Sequence, residues 1–283
     1  MRRVLIANPG ASRVTEARLA AVVELLAPVE VWRTERSGHG VDLAREAGAA
    51  TIFVLGGDGT FNEVLNGCDA GATLGFVPAG GTNVLPRALG LPRDPLAAAR
   101  ALDVGGSRRI SLGRVNGRRF AFAAGIGLDA ELLRRSGRTA SGRRRSDLGV
   151  IKVTLQLLAE RRGRFEAALE IRGHGEAAFA LVANADPYTY VGKRAVHVTR
   201  GAAFELGLDF VAPRRLRPQD YPAAVRYLAS GRSRLDLLRG HDLDRIEIVC
   251  REPMPLQADG EDLGDVTEAV FEAERDAVQV LVG

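Results

Sequence analysis

The sequence predicts an α/β fold in which an N-terminal domain with a doubly wound, mainly parallel sheet precedes a mainly antiparallel β domain. Three observations predict it. Apolar strand-like runs alternate with helical spacings over the first hundred residues, which implies parallel strands joined by crossover helices. The runs ending at Ala7, Leu55 and Pro78 each stop in a loop of small residues. From Ser107 onward the texture changes to alternating runs and hairpin turns, so antiparallel pairing begins there. The boundary falls at Gly105-Gly106, giving domains 1–105 and 106–283.

In order, Arg3–Ala7 reads as a first strand ending at Asn8-Pro9-Gly10-Ala11-Ser12. Leu19, Val22, Val23 and Leu26 fall at helical spacing between Thr15 and a stop at Pro28. Val29–Trp32 is a short strand, and a helix runs from about Val41 to Ala47. Thr51–Leu55 is a β-branched, apolar run that reads as a buried strand. It enters Gly56-Gly57-Asp58-Gly59-Thr60 and then the helical spacing of Phe61, Val64 and Leu65. Leu74–Pro78 is a fourth strand, followed by Ala79-Gly80-Gly81-Thr82-Asn83 and a short helix, and Asp94 caps another helix through Leu102. In the second half, Arg109–Val115 and Arg119–Ala124 flank the Asn116-Gly117 turn. Leu148–Leu158 and Tyr221–Leu228 read as helices, and Phe165–Ile171, Ala178–Asn184, Arg245–Cys250 and Val266–Val282 as strands.

The stretch around Asp58 carries the most chemistry. Strand, glycine turn and helix aim backbone N–H groups and the positive end of a helix dipole at an anion. Glycine permits positive φ and lets a phosphate approach without a Cβ in the way. Asp58 would repel a phosphate unless it holds a metal ion or a hydroxyl donor, and a tight turn with a solvated Asp is the alternative. In a doubly wound sheet the ligand sits outside the carboxyl ends of the strands. The loops Asn8–Ser12, Gly56–Thr60 and Gly80–Asn83 should therefore converge on one crevice, a nucleotide site, unless they are three ordinary turns.

Composition bounds the rest. The 283 residues are 46% hydrophobic and 26% charged, with net charge +4, ordinary for a soluble globular protein. Lys152 and Lys193 are the only lysines, so the positive charge is arginine, which suits phosphate but equally reflects coding bias. Cys68 and Cys250 show no metal-ligand spacing or disulfide framework, which fits a reducing, cytoplasmic setting. The N-terminus reaches Asn8-Pro9-Gly10 too early for a signal-peptide core. No apolar run approaches the roughly 20 residues of a membrane span. Aromatic residues interleaved for base stacking are missing, which argues against nucleic acid. A homodimer is compatible with the sequence.

Gly56-Gly57-Asp58-Gly59-Thr60 with Asn62-Glu63 and Gly67 resembles the nucleotide loop of the diacylglycerol kinase, sphingosine kinase and NAD kinase superfamily. Asn62-Glu63-Val64 is closer to the lipid kinases. Gly125-Ile126-Gly127-Leu128-Asp129-Ala130 resembles the family segment whose Asp contacts the lipid headgroup. From the residues alone, Asp129 reads first as the cap of the helix starting at Ala130. Leu256-Gln257-Ala258-Asp259-Gly260-Glu261 resembles the lipid kinase Asp-Gly-Glu, whose Glu takes the proton from the acceptor hydroxyl. From the residues alone it is a hairpin turn. Thr34 with His39 matches the family's spacing behind the second strand.

There are departures. Gly81 replaces a Thr and Val84 a second acidic residue in the loop where Asn83 and Arg87 match, and Leu206 replaces the acidic residue that holds a structural magnesium. The resemblance implies an NAD kinase/diacylglycerol kinase-like fold. It further implies an ATP- and Mg²⁺-dependent lipid kinase, with diacylglycerol the first-choice acceptor. An NAD kinase, a sphingoid or glycolipid kinase, and a silent nucleotide- or lipid-binding regulator remain as alternatives. Implied nucleotide contacts are Asn8, Pro9, Gly10, Ala11, Ser12, Thr34, Gly56, Gly57, Asp58, Gly59, Thr60, Phe61, Asn62, Gly81 and Asn83. Asp129 would hold the acceptor, Glu261 is the implied base, and Asp58 would orient the Mg²⁺. The lipid would be met at the inner membrane face by transient association, and Arg134 to Arg145 is either a solvated loop or a contact with anionic headgroups.

Overall fold

The computed structural model describes residues 2–28, 30–136, 147–191, 194–232 and 234–283. Two compact units emerge: Met1–Leu112 with Arg118–Ala121 and Glu274–Gly283, and Gly113–Gly117 with Phe122–Ala273.

The first unit contains β1 (Arg3–Ala7), α1 (Glu16–Leu26), β2 (Glu30–Arg33), α2 (His39–Ala47), β3 (Thr51–Gly56), α3 (Asp58–Gly67), β4 (Thr73–Pro78), α4 (Val84–Ala88) and α5 (Pro95–Val104). β5 (Ser107–Val115) starts here, and β6 (Arg118–Phe120) follows. The parallel strands lie in the order β2-β1-β3-β4, and Gln279 and Val280 extend the sheet in parallel against Thr73 and Leu74. The strand order reverses between β1 and β3, the place where such sheets open a crevice at their carboxyl ends. Apolar runs form these strands because both faces are covered. Leu5, Ile6, Ile52, Phe53, Val54, Leu55, Leu74 and Phe76 are all buried, each worth about 1.5–3 kcal/mol of transfer free energy. Thr15 caps α1 by accepting from Arg18 N–H at 3.2 Å, and Asp94 caps α5 through the N–H groups of Leu96 and Ala97.

The second unit holds β7 (Ala123–Ile126), α6 (Leu128–Ser136), α7 (Asp147–Glu160), β8 (Leu169–Ile171), β9 (Gly175–Ala177), β10 (Ala180–Ala183), β11 (Thr189–Val191), β12 (Arg194–Val196), β13 (Leu208–Pro213), α8 (Tyr221–Ser230), β14 (Leu237–Leu243) and β15 (Arg245–Ala258). β16 (Glu261–Leu281) begins here and ends in the first unit. Pairing is antiparallel along β16-β15-β7-β10-β13-β14, while β11 and β12 form a separate hairpin. Phe165, Ala178 and Leu216 form a small core under α6, α7 and α8, joined by Leu128, Leu158 and Tyr221. The fold class is therefore the one the sequence predicts: parallel and wound at the start, antiparallel after it.

Asn116-Gly117 makes its turn with φ of 47° and 88°, and Asp259-Gly260 with 49° and 80°, the left-handed pair that a two-residue hairpin needs.

Candidate active site

The three small-residue loops of the first unit lock together. Asn8 Nδ2 donates to Thr60 Oγ1 at 2.8 Å, and Asn8 Oδ1 accepts from Gly10 N–H. Asp58 Oδ1 accepts from Val84 N–H at 2.7 Å, tying the second loop to the start of α4. Asn83, buried at φ 53°, closes its own loop through Gly80 N–H and Gly80 O. The N–H of Ala79 reaches Gly56 O, and that of Arg13 reaches Ala79 O. Thr34 stands beside them, its N–H on Ala7 O.

The glycines act differently from expectation. None of Gly56, Gly57, Gly59, Gly80 and Gly81 has a positive φ. Their value is close approach: a Cβ on Gly80 would lie 2.6 Å from Gly57 Cα, and one on Gly56 would lie 2.7 Å from Thr60 Cβ. The strand passes straight into α3 through extended Gly57, so no left-handed residue is needed. No side chain caps α3 at Gly57, and Gly59 is exposed in its first turn. A helix start of this kind presents N–H groups and positive dipole to an anion. Asp58 is the only carboxylate that the three loops carry. The residues therefore fit a polyphosphate, and a Mg²⁺ held chiefly by phosphate oxygens and water would need little more from the protein.

Other motif residues hold the scaffold. Glu63 accepts from Gly38 N–H at 2.8 Å and Gly40 N–H at 2.9 Å, anchoring the start of α2. The space at Gly67 is filled by Val41 O, only 2.1 Å from where a Cβ would sit. Asn62 is buried, donating to Arg119 O and accepting from Arg118. The Phe61 side chain packs edge-on against Phe76 with centroids 5.0 Å apart. Among the expected nucleotide contacts, these two side chains are turned into the scaffold.

In the second unit, Asp129 is the second residue of α6. Its Oδ2 accepts from the Tyr188 hydroxyl at 2.5 Å and from Gln257 Nε2 at 2.6 Å. Burial raises its carboxyl above the usual range, partly offset by those two donors, and burial also drives the Tyr188 hydroxyl well upward. Gly125 lets the carboxylate fold back over β7, since a Cβ there would lie 2.5 Å from Asp129 Oδ2. Asp259 is buried, its carboxylate taking the N–H groups of Phe122 at 3.0 Å and Ala123 at 3.3 Å. That pins the turn from which Glu261 begins β16. That Tyr188 and Gln257 meet Asp129 was beyond sequence reasoning, since they come from positions 59 and 128 residues away.

Arg134 is committed to Asp262 and Asp265, and Arg135 to Glu131 and Glu160. Arg138, Arg143, Arg144 and Arg145 lie outside the described residues. At the segment where Leu206 stands, Asp242 Oδ1 accepts from Gly207 N–H at 2.7 Å, and buried Asp209 takes His241 and Asp242 N–H. Among the described residues no three His, Cys, Asp or Glu side chains gather as metal ligands. Burial pushes the thiols of Cys68 and Cys250 up to about 11, making them poor nucleophiles.

Residues 2–115 match the family model for the diacylglycerol kinase catalytic domain. A diacylglycerol kinase of Bacillus subtilis is 38% identical over 143 residues, which are 46% of this chain and 47% of that protein. A "Probable lipid kinase YegS-like" of Chromohalobacter salexigens is 34% identical over 138 residues, 45% and 44% of the two chains. The chain thus spans about half the length of the curated relatives it matches. A crystal structure of a Bacillus anthracis protein described as a diacylglycerol kinase shares the fold at TM-score 0.73 and 20% identity, covering 100% of this chain and 97% of that one.

Proposed function

Because residues 2–115 match the family model for the diacylglycerol kinase catalytic domain, we propose that the protein is a kinase that passes a phosphoryl group from ATP to a lipid hydroxyl, with diacylglycerol as acceptor and phosphatidic acid as product. The observation that carries this reading is the interlocked trio of loops around the uncapped start of α3. Phosphoryl transfer is mostly positioning and charge stabilisation, and this backbone suits both. Asn8–Ser12, Gly56–Thr60 and Gly80–Asn83 hold the triphosphate, with Thr34 beside them. Asp58 would orient the accompanying Mg²⁺, and the ion would supply positive charge against the phosphate oxygens. Asp129 holds the acceptor, and Glu261 takes its proton.

The second unit also has room for an acyl chain. A cavity of about 330 Å³ adjoins Asp129 along the chain: Leu128, Leu157, Phe165 and Met254 give it an apolar wall, while Glu131, Arg161, Glu166, Arg251 and Glu252 also line it. No helix among the described residues is long and apolar enough to cross a membrane; in this reading the lipid is met at the cytoplasmic membrane face.

The test is a transfer assay with labelled ATP and Mg²⁺ against diacylglycerol, a sphingoid base, a glycolipid and NAD. Label on a lipid supports the reading. Label on NAD alone makes the protein an NAD kinase, and ATP binding without any transfer makes it a silent regulator. Glu261→Gln should lower kcat for the lipid by on the order of 10²–10⁴ while leaving ATP binding intact. Full turnover by that variant would remove the base assignment.

A further inference from the structure

Asp129 spends only one of its oxygens on the protein. Oδ2 takes the Tyr188 hydroxyl and the Gln257 amide, whereas Oδ1 has no partner among the described residues. One oxygen is anchored and the other keeps its acceptor capacity, which a hydroxyl donor could use. Gln257, only 4% exposed, does more than anchor. Its Nε2 also reaches Tyr188 Oη at 3.1 Å, and its Oε1 accepts from Gly260 N–H at 3.0 Å. The amide cannot flip without losing these bonds, because the flip would set NH₂ against the Gly260 N–H and oxygen against the Asp129 carboxylate. A single side chain therefore spans from Asp129 to the turn that carries Glu261.

We propose that Gln257 is a positioning residue that couples the acceptor-holding carboxylate of Asp129 to the Asp259-Gly260-Glu261 turn, so that seating the acceptor hydroxyl and orienting the base are one event. The inference rests on the kinase reading above for the roles of Asp129 and Glu261, but the coupling itself is a property of the unliganded protein. Tyr188 shares only the first half of the task, since its hydrogen bonds go to Asp129 and Gln257. Burying an amide that satisfies both a donor and an acceptor demand also fixes its rotamer, and a fully satisfied buried network rigidifies its surroundings.

Two measurements test it. The first reads the protein alone: the Gly260 amide resonance is followed on Asp129→Asn, in the wild-type background and in a Gln257→Leu background. The expected result is a clear shift in the first and loss of most of that shift in the second. An equal response in both backgrounds overturns the coupling, whatever reaction the protein performs.

The second reads turnover with the lipid acceptor. Gln257→Leu should raise the lipid KM and lower kcat, each about 10-fold, with the ATP KM unchanged, whereas Tyr188→Phe should raise the lipid KM with a smaller loss in kcat. Gln257→Glu supplies a pH signature that a merely structural residue would not. Below the titration of the introduced carboxyl, its O–H donates to Asp129 and activity approaches wild type. Above it, two carboxylates face each other and activity falls. A Gln257→Glu profile parallel to wild type, or a Gln257→Leu variant with wild-type lipid kinetics, overturns the proposal. Absence of transfer by the wild type to any lipid sinks the kinase reading instead, and leaves the resonance measurement to decide the coupling.

Discussion

The loop cluster of the first unit and the Asp129 cluster of the second are built from different materials. The former presents mostly backbone, with glycines in contact at Gly57 and Gly80, amides at the start of α3 and one carboxylate, braced by the side chains of Asn8, Thr60 and Asn83. The latter is nearly all side chain: a carboxylate, a phenol and an amide brought from α6, the loop before β11 and β15. A backbone site keeps its geometry as long as the fold stands, and substitutions there damage stability and binding together. A side-chain site stores electrostatic cost, so substitutions can separate function from stability.

The sharpest break of that contrast is Asp58→Ala. It removes the only carboxylate of the loops, and phosphoryl transfer should fall by about 10³-fold or more, measured as kcat with saturating ATP. It also frees the Val84 N–H, so thermal stability should fall modestly. Survival of turnover would show that the loops need no carboxylate. Next in size is Gly80→Ala, whose Cβ would meet Gly57 Cα at 2.6 Å and Asn83 Oδ1 at 2.8 Å. It should cost about 1–3 kcal/mol in urea unfolding and weaken ATP binding in parallel. Loss of binding with unchanged stability would contradict a cradle built from packed backbone.

Asp129→Asn should behave in the opposite way. Burial raises the folded carboxyl above its unfolded value, so its contribution to stability is complete below the unfolded pKa and is lost as pH rises through the folded one. At neutral pH the charged form therefore weighs against the fold. The variant should melt higher than wild type at pH 7 while losing lipid turnover, and the gain in Tm should vanish below about pH 4, near the ordinary Asp value. A variant that melts lower at pH 7 would remove this account.

The smallest effect belongs to His241. Its hydrogen bond and charge pairing with Asp209 raise the imidazole above its ordinary value, with Asp242 adding to the pull. That stability is fully present below pH 6.5 or so and is lost as pH rises through the raised pKa. His241→Gln should flatten this slope in a pH series of Tm values, by a small amount because the imidazole side chain is 61% exposed.

The same contrast explains what could be read in advance. Strand, glycine turn and helix write themselves locally, so β3, Gly56–Thr60 and α3 were visible in a dozen residues. Convergence of the three loops followed from the alternation alone. What the glycines do was harder: close packing of Gly57 on Gly80 depends on a strand more than twenty residues away, and local rules suggested positive φ instead. The Asp129 network was still less legible, since nothing near Tyr188 or Gln257 announces a carboxylate. Glu63 and Gly67 helped to identify the motif, yet they serve α2 and hold the scaffold rather than a ligand. Legibility falls as the partners of a residue move away along the chain.

Gln279 and Val280 close the open flank of β4. On the ribosome, that flank waits for its neighbour until all of Phe122–Ala273 has been made. Throughout that interval the nascent first unit exposes unpaired backbone beside Thr73 and Leu74, an invitation to aggregate. A fragment cut before Glu274 would keep that exposure permanently, and should need a holdase or low temperature to remain in solution.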